Sequence, residues 1–272
     1  MSAKFDKNSF KKRLSTMLGV DFRRMFTSSL FYLMIGISLV IPILILVMVT
    51  MMDGTVSVDP QTGKETVMEG FKSVWEIIGT VSSSASADAG AGMNMSITSM
   101  CNINMMYFAV AVFVCIFVGD DFRSGYAKNL FTVRSKKSDY VISKTLASFV
   151  AGGCMIIAFF IGSMVGGKFA GLSFALDGAN AFNVVMCILS KVFIVGIFAS
   201  IFVLASVFAK QRLWLSILLS LGIGMLFFMM IPIISPLNST LLNVLLSFVG
   251  SALFSFGIGF ASKKVLDKTS LV

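Results

Sequence analysis

The sequence has no histidine, only three glutamates (Glu65, Glu69 and Glu76) and four cysteines, and charged residues fill just 13% of its 272 positions. Each shortage removes a class of function. A soluble domain carries about 25% charged residues, so this chain cannot build a surface that faces water on all sides. Without histidine, the ligand sets of intramembrane metalloproteases cannot be assembled. No GxxxxGK[ST] phosphate loop occurs, so ATP cannot be hydrolysed by that route. The cysteines (Cys101, Cys115, Cys154 and Cys187) lie in or beside apolar segments without CxxC or other ligand spacing, which marks them as packing residues. Cys101 and Cys187 could both lie near the outer surface, which leaves a disulfide between them open. No enzyme activity of its own, no cofactor and no metal are expected.

What the chain does have is apolar length. Hydrophobic residues make up 57% of it and the mean hydropathy is +0.92. A helix needs roughly 20 apolar residues to cross ~30 Å of hydrocarbon, and six runs qualify: 30–52, 98–118, 146–165, 192–208, 213–234 and 241–261. The fourth can begin near Phe182, with Lys191 inside it. From Lys191 to Lys210 is roughly 28 Å of helix, which places the ammonium at the outer interface, where it can snorkel. The expected fold is an all-α integral membrane protein of six transmembrane helices.

Lysine and arginine accumulate on the cytoplasmic side. Of the 22 basic residues, 18 fall before the first run, between the second and third, between the fourth and fifth, and after the sixth. The alternate connections hold only Lys64, Lys72, Lys168 and Lys191. Both termini are therefore expected in the cytoplasm, with the chain a multi-pass protein of a bacterial plasma membrane. The net charge of +9 reads as topology and not as a nucleic-acid footprint.

Two segments outside the runs have patterns of their own. Residues 1–29 form a cytoplasmic region in which Phe10, Leu14, Met17, Leu18, Phe22, Met25 and Phe26 share one helical face and Lys11, Lys12, Arg13, Arg23 and Arg24 fill the rest. Such a helix lies in the headgroup plane. The remaining 30–272 form the six-span domain, whose main outer loop is 53–97, with six acids against two lysines. In it, 55–68 reads as a hairpin around Asp59-Pro60-Gln61-Thr62-Gly63. Residues 69–80 read as a short amphipathic helix presenting Phe71, Val74, Trp75 and Ile78, and 82–92 as a linker. This loop is either a gate or partner surface, or simply a cap.

Inside the runs, small residues recur every fourth position: Ser247, Ser251, Ser255 and Gly259 in the last, Gly162 and Gly166 in the third. They allow close helix packing, within the chain or across a dimer. Asn102 and Asn104 can hydrogen-bond a neighbouring helix or line a cavity. No carboxylate lies deep in a run, so the relay groups of proton- and sodium-driven transport are missing. Uphill transport would need energy from another subunit.

The cytoplasmic loop 119–143 carries an ordered motif. It reads Asp120-Asp121-Phe122-Arg123-Ser124-Gly125-Tyr126-Ala127-Lys128-Asn129-Leu130, then RSKKSDYVIS over 134–143 and Lys144. An acid, a glycine four residues on, a Lys-Asn pair, and later a Tyr and a Lys resemble the permease subunits of type-2 ABC exporters, most closely those of peptide-antibiotic resistance and immunity. Asp121 stands where that family more often has glutamate, and the short connection between the fifth and sixth runs departs from many members. The resemblance implies a coupling helix that docks on a separate ATP-binding-cassette ATPase through Asp121, Arg123, Gly125, Lys128 and Asn129. Gly125 would allow close approach, with the acid and lysine pairing with the partner, and a bulky residue at Gly125 would uncouple transport without blocking insertion. It also implies a second permease subunit, identical or related, surrounding membrane lipid, and no nucleic acid. The rival reading is a non-transporting membrane scaffold or immunity protein that acts through its outer loop. A pathway rich in Phe and Met would suit an amphipathic or lipid-like cargo.

Overall fold

The structure, a computed structural model, describes residues 7–58, 65–67, 70–80, 101–133, 136–176, 178–228 and 230–268. Helix α1 (Lys7–Thr27) turns at Ser28 into α2 (Ser29–Met51), and a small hairpin, β1 (Val56–Val58) and β2 (Glu65–Val67), follows. After a short 3-10 turn at Val74–Ile77 and another at Ile103–Met105 come α3 (Met106–Arg123), α4 (Tyr126–Val133) and α5 (Lys137–Ala170). The chain ends with α6 (Ala181–Ala209), α7 (Leu213–Phe228), α8 (Ile231–Ile234) and α9 (Leu241–Lys268).

Among the described residues, five helices are long and apolar enough to cross a membrane: α2, α3 with its leading 3-10 turn, α5, α6 and α9. They correspond to five of the six apolar runs. The fifth run is broken instead: α7 has 16 residues, about 24 Å, and stops short of α8. Pro232 sits in the first turn of α8, where its missing N–H costs least, but it cannot continue the helix from α7. Boundaries also move. The second helix begins at Ile103, not at residue 98, and α5 starts nine residues before the apolar run it contains. Its first turns, from Lys137, are polar and precede the apolar stretch.

The interior forms around α3, α5 and α6. Helix α2 packs along α5, α9 along α6, and α7 against α3 and α6. The small residues set these crossings. A Cβ on Gly162 would lie 2.1 Å from the Leu39 carbonyl oxygen, and one on Gly166 would lie 2.7 Å from the Ile43 Cα. In α9 the serine stripe faces α6: Ser247 Oγ is 2.5 Å from Ser190 Oγ, and Ser255 Oγ donates to the Gly196 carbonyl at 3.2 Å. The expected stripes are thus packing surfaces within the chain. Gly162→Ala should cost about 1–3 kcal/mol through overpacking, read as a lower melting temperature in detergent. Gly250→Ala is the control, because its Cβ meets only Ile197 Cδ1 at 3.9 Å; equal melting of the two variants would contradict this account of the α2–α5 crossing.

The segment between α2 and α3 is stitched down. The hairpin pairs Val56 with Val67 and Val58 with Glu65, as its β-prone flanks predict; its turn, 59–64, and the linker 82–92 lie outside the described residues. The helix expected over 69–80 is only a 3-10 turn, capped by Ser73, whose hydroxyl accepts from the Trp75 N–H at 3.4 Å. Four residues cannot make an amphipathic helix, yet Phe71, Val74, Ile77 and Ile78 are buried. Val74 fits against Gly167 of α5, Trp75 Nε1 donates to the Phe174 carbonyl at 3.0 Å, and the Leu237 N–H donates to the Thr80 carbonyl at 2.9 Å. The described part of this loop ties the α2–α3, α5–α6 and α8–α9 connections together.

Candidate functional site

On the side of the bundle reached by the α3–α5 connection, three helices bring charges into a dry interior. Asp21 and Arg24 are three residues apart and share a face of α1. Tyr140 and Lys144, four apart, share a face of α5. Asp121 belongs to the last turn of α3. Lys144 Nζ lies 2.9 Å from Asp21 Oδ1 and 2.8 Å from Asp121 Oδ2, and all three side chains are at most 1% exposed. Arg24 Nη1 contacts Asp121 Oδ1 at 2.7 Å. The Tyr140 hydroxyl donates to Asp121 Oδ2 at 3.0 Å and the Ser143 hydroxyl to Asp21 Oδ2 at 2.5 Å. Two carboxylates therefore face two cations, and every carboxylate oxygen has a partner, the condition under which buried charge is tolerated.

Aromatic rings close the cluster. The Lys144 ammonium lies 4.0 Å from the Phe117 ring centroid and the Arg24 guanidinium 4.4 Å from that of Tyr126, both within cation–π range. Burial alone works against the Arg24 charge, but attraction and hydrogen bonding to Asp121 outweigh it and raise the guanidinium above its ordinary pKa. Tyr126 opens α4, so Arg24 links that helix to α1. A second pair lies further along the same helices, where Arg13 Nε meets Asp139 Oδ2 at 3.2 Å.

Helix α4 is amphipathic. Ala127 is buried and Leu130 and Phe131 are half-buried, with the Phe131 ring edge-on to Tyr140 at 5.2 Å. Lys128, Asn129 and Thr132 are exposed on the opposite side. Of the five residues expected to couple to a partner, Arg123, Lys128 and Asn129 lie on the surface and Gly125 lies half-buried between them. Arg123 pairs loosely with Asp120 at 3.8 Å. Asp121 does not join them. The expectation that its carboxylate pairs with a partner is corrected by its burial: Arg24, Lys144 and Tyr140 already occupy it. Gly125 also has a different reason from close approach. Nothing lies within 4 Å of where its Cβ would be, but its φ is +75°, a left-handed turn that glycine adopts without strain.

The sequence held a signal for Asp21. It stands midway between Met17 and Met25, both buried, so an acid occupies the apolar stripe of α1. An acid in such a stripe needs a cation from the helix packed against it, and Lys144 is that cation.

A second polar cluster lies toward the other end. Lys191 is fully buried; its ammonium donates to Asn104 Oδ1 at 2.9 Å and to the Ser235 carbonyl at 3.3 Å, and the Tyr107 hydroxyl donates to the Lys191 carbonyl at 2.8 Å. Snorkelling is thereby corrected. Ser235 follows the broken end of α8, whose last carbonyls lack helical partners, so acceptors are available inside. A membrane-impermeant amine reagent should modify exposed Lys168 and leave Lys191 intact; labelling of Lys191 would contradict this burial. Asn104 takes the first of its two expected roles, bonding a neighbouring helix. None of the four cysteines is in a disulfide, and Cys187 points at Ser235, with its Sγ 3.6 Å from the hydroxyl. Among the described residues no group of acids and cysteines could hold a metal ion.

No protein-family model matches the chain, and no curated protein or solved structure resembles it at a significant level.

Proposed function

We propose that this chain is the membrane-spanning permease subunit of an ATP-driven exporter of the type-2 ABC class, working as a dimer with a separate cytoplasmic ATPase. One observation carries the reading. A short amphipathic helix, α4, exposes Lys128 and Asn129 while its other side is braced by a charge cluster that joins α1, α3 and α5. A push on α4 would reach α1 and α5 at once, because Tyr126 contacts Arg24 and Phe131 contacts Tyr140. In this reading α7 and α8 together make the sixth crossing, both termini are cytoplasmic, and the membrane is the bacterial plasma membrane.

The cluster acts as the mechanical root of the loop. Buried ion pairs have two arrangements, made or broken, and little between. ATP binding would draw the ATPases together, move α4 through Arg123, Gly125, Lys128 and Asn129, and tilt α3 and α5 as one body. Cargo would pass along the interface of two permease subunits. The test is purification of the tagged chain in mild detergent with mass spectrometry of what accompanies it. A soluble protein with a phosphate-loop motif, lost when Lys128 is changed to Glu, supports the assembly. A chain that purifies alone under conditions that keep exporter complexes intact favours the non-transporting scaffold.

A further inference from the structure

Between α6 and α7 the chain turns in three residues, Lys210, Gln211 and Arg212. Helix α6 carries no charge from Val192 to its end at Ala209, and α7 has none at all. Two cations thus stand at the joint of two apolar helices. Lys210 makes so short a joint by holding φ at +52°, alone among the described non-glycine residues in the left-handed region, which such residues seldom enter. Neither cation is matched. Among the described residues, Lys210 and Arg212 form no ion pair. Leu213 Cδ1 lies 3.4 Å from where a Cβ on Gly119 would be, so α3 ends beside the turn, but Asp120 there is already held by Arg123 at 3.8 Å. We infer that this turn binds the phosphate headgroup of an anionic phospholipid.

Depth selects the lipid. The turn is tied at both ends to apolar helix, at Ala209 and at Leu213. Even its middle residue is two residues from either, or at most about 7 Å when extended. The headgroup layer is about 5–8 Å thick on each side, so both cations are kept at phosphate level, where basic residues attract anionic lipids. Phe208 in the last turn of α6 and Trp214 in the first turn of α7 are 62% and 65% exposed. Aromatic rings at this depth sit at the boundary of hydrocarbon and headgroup and supply apolar contact for the glycerol end of the lipid. The inference concerns the chain in its membrane and does not depend on the permease reading.

The test uses the full chain in detergent, titrated with phosphatidylglycerol or phosphatidylcholine of matched acyl chains and read by native mass spectrometry. The wild type should bind phosphatidylglycerol roughly 10-fold better, and the K210Q/R212Q double variant should lose that preference. It should melt as the wild type does. The turn's backbone bonds, from Lys210 N–H to the Ser206 carbonyl at 2.8 Å and from Arg212 N–H to the Ala209 carbonyl at 3.1 Å, need neither charge. R212Q alone leaves the left-handed Lys210 untouched and should lower the preference about 3-fold, which keeps the test decisive should the double variant melt early. The K264Q/K268Q control removes two charges from the exposed end of α9 and should keep the preference. Equal binding of the two lipids by the wild type, or an equal loss in the control, overturns the inference. So does displacement of the lipid by millimolar inorganic phosphate, which would make the turn a free-phosphate site. A double variant that keeps the lipid preference also overturns it, and if that variant loses a co-purifying soluble protein, the turn is a protein contact instead.

Discussion

Lys144→Met should destabilise the protein by about 3–5 kcal/mol, the cost of removing one partner from a buried ion-pair network. The variant leaves Asp21 and Asp121 buried together with only Arg24 to balance them, and Arg24 contacts Asp121 alone. For a chain of this size the melting temperature should fall by on the order of 10 °C. The expected rescue is specific. Adding Asp21→Asn removes the stranded charge and retains the Arg24–Asp121 pair, so the double variant should recover at least half of the loss. Melting in detergent, followed by size-exclusion fluorescence, reads both. A Lys144→Met protein as stable as the wild type would show that the cluster does not hold α1 to the bundle.

The second large effect is on coupling. Lys128→Glu reverses an exposed charge on α4, and like charges across a docking surface cost several kcal/mol; in the proposed assembly, binding of the ATPase should therefore weaken on the order of 100-fold. Melting should stay at the wild-type value, because Lys128 contributes nothing to the buried cluster. Gly125→Val acts by another route. Its φ of +75° costs a non-glycine residue about 1–2 kcal/mol, and more for a β-branched one, so the start of α4 must change direction. Binding of the ATPase should persist in part while ATP-driven transport is lost. Membrane insertion should be normal in both variants. Transport at the wild-type rate by Gly125→Val would remove α4 from the mechanism.

The sequence was most legible where periodicity was strong. The apolar runs mark α2 and α6 to within a few residues, once the fourth is allowed to begin near Phe182, and mark the start of α9, which runs seven residues past its apolar stretch to Lys268. The apolar face of α1 and the small-residue crossings at Gly162 and Ser247 follow from spacing alone. Less was visible where partners come from distant segments. The distance of Lys191 from the basic end of its helix is local, whereas its acceptors Asn104 and Ser235 come from other segments of the chain. Asp121 reads as a docking acid from its place in the loop motif with Gly125, Lys128 and Asn129. Its own direction is set by α3 meeting α5, which no local pattern encodes. The break between α7 and α8 is signalled by Pro232, but the placing of the Ser235 carbonyl, just past the end of α8, against Lys191 is a matter of tertiary structure.

The most direct test of the coupling role is a photo-crosslinking amino acid placed at Asn129 in the intact cell. Asn129 is exposed on α4 and outside the buried cluster, so the substitution leaves the fold unaltered. The account predicts a crosslink to a soluble protein that carries a phosphate-loop motif, strengthened or weakened by trapping the ATP-bound state. Crosslinks to lipid or to other copies of this chain alone would contradict it.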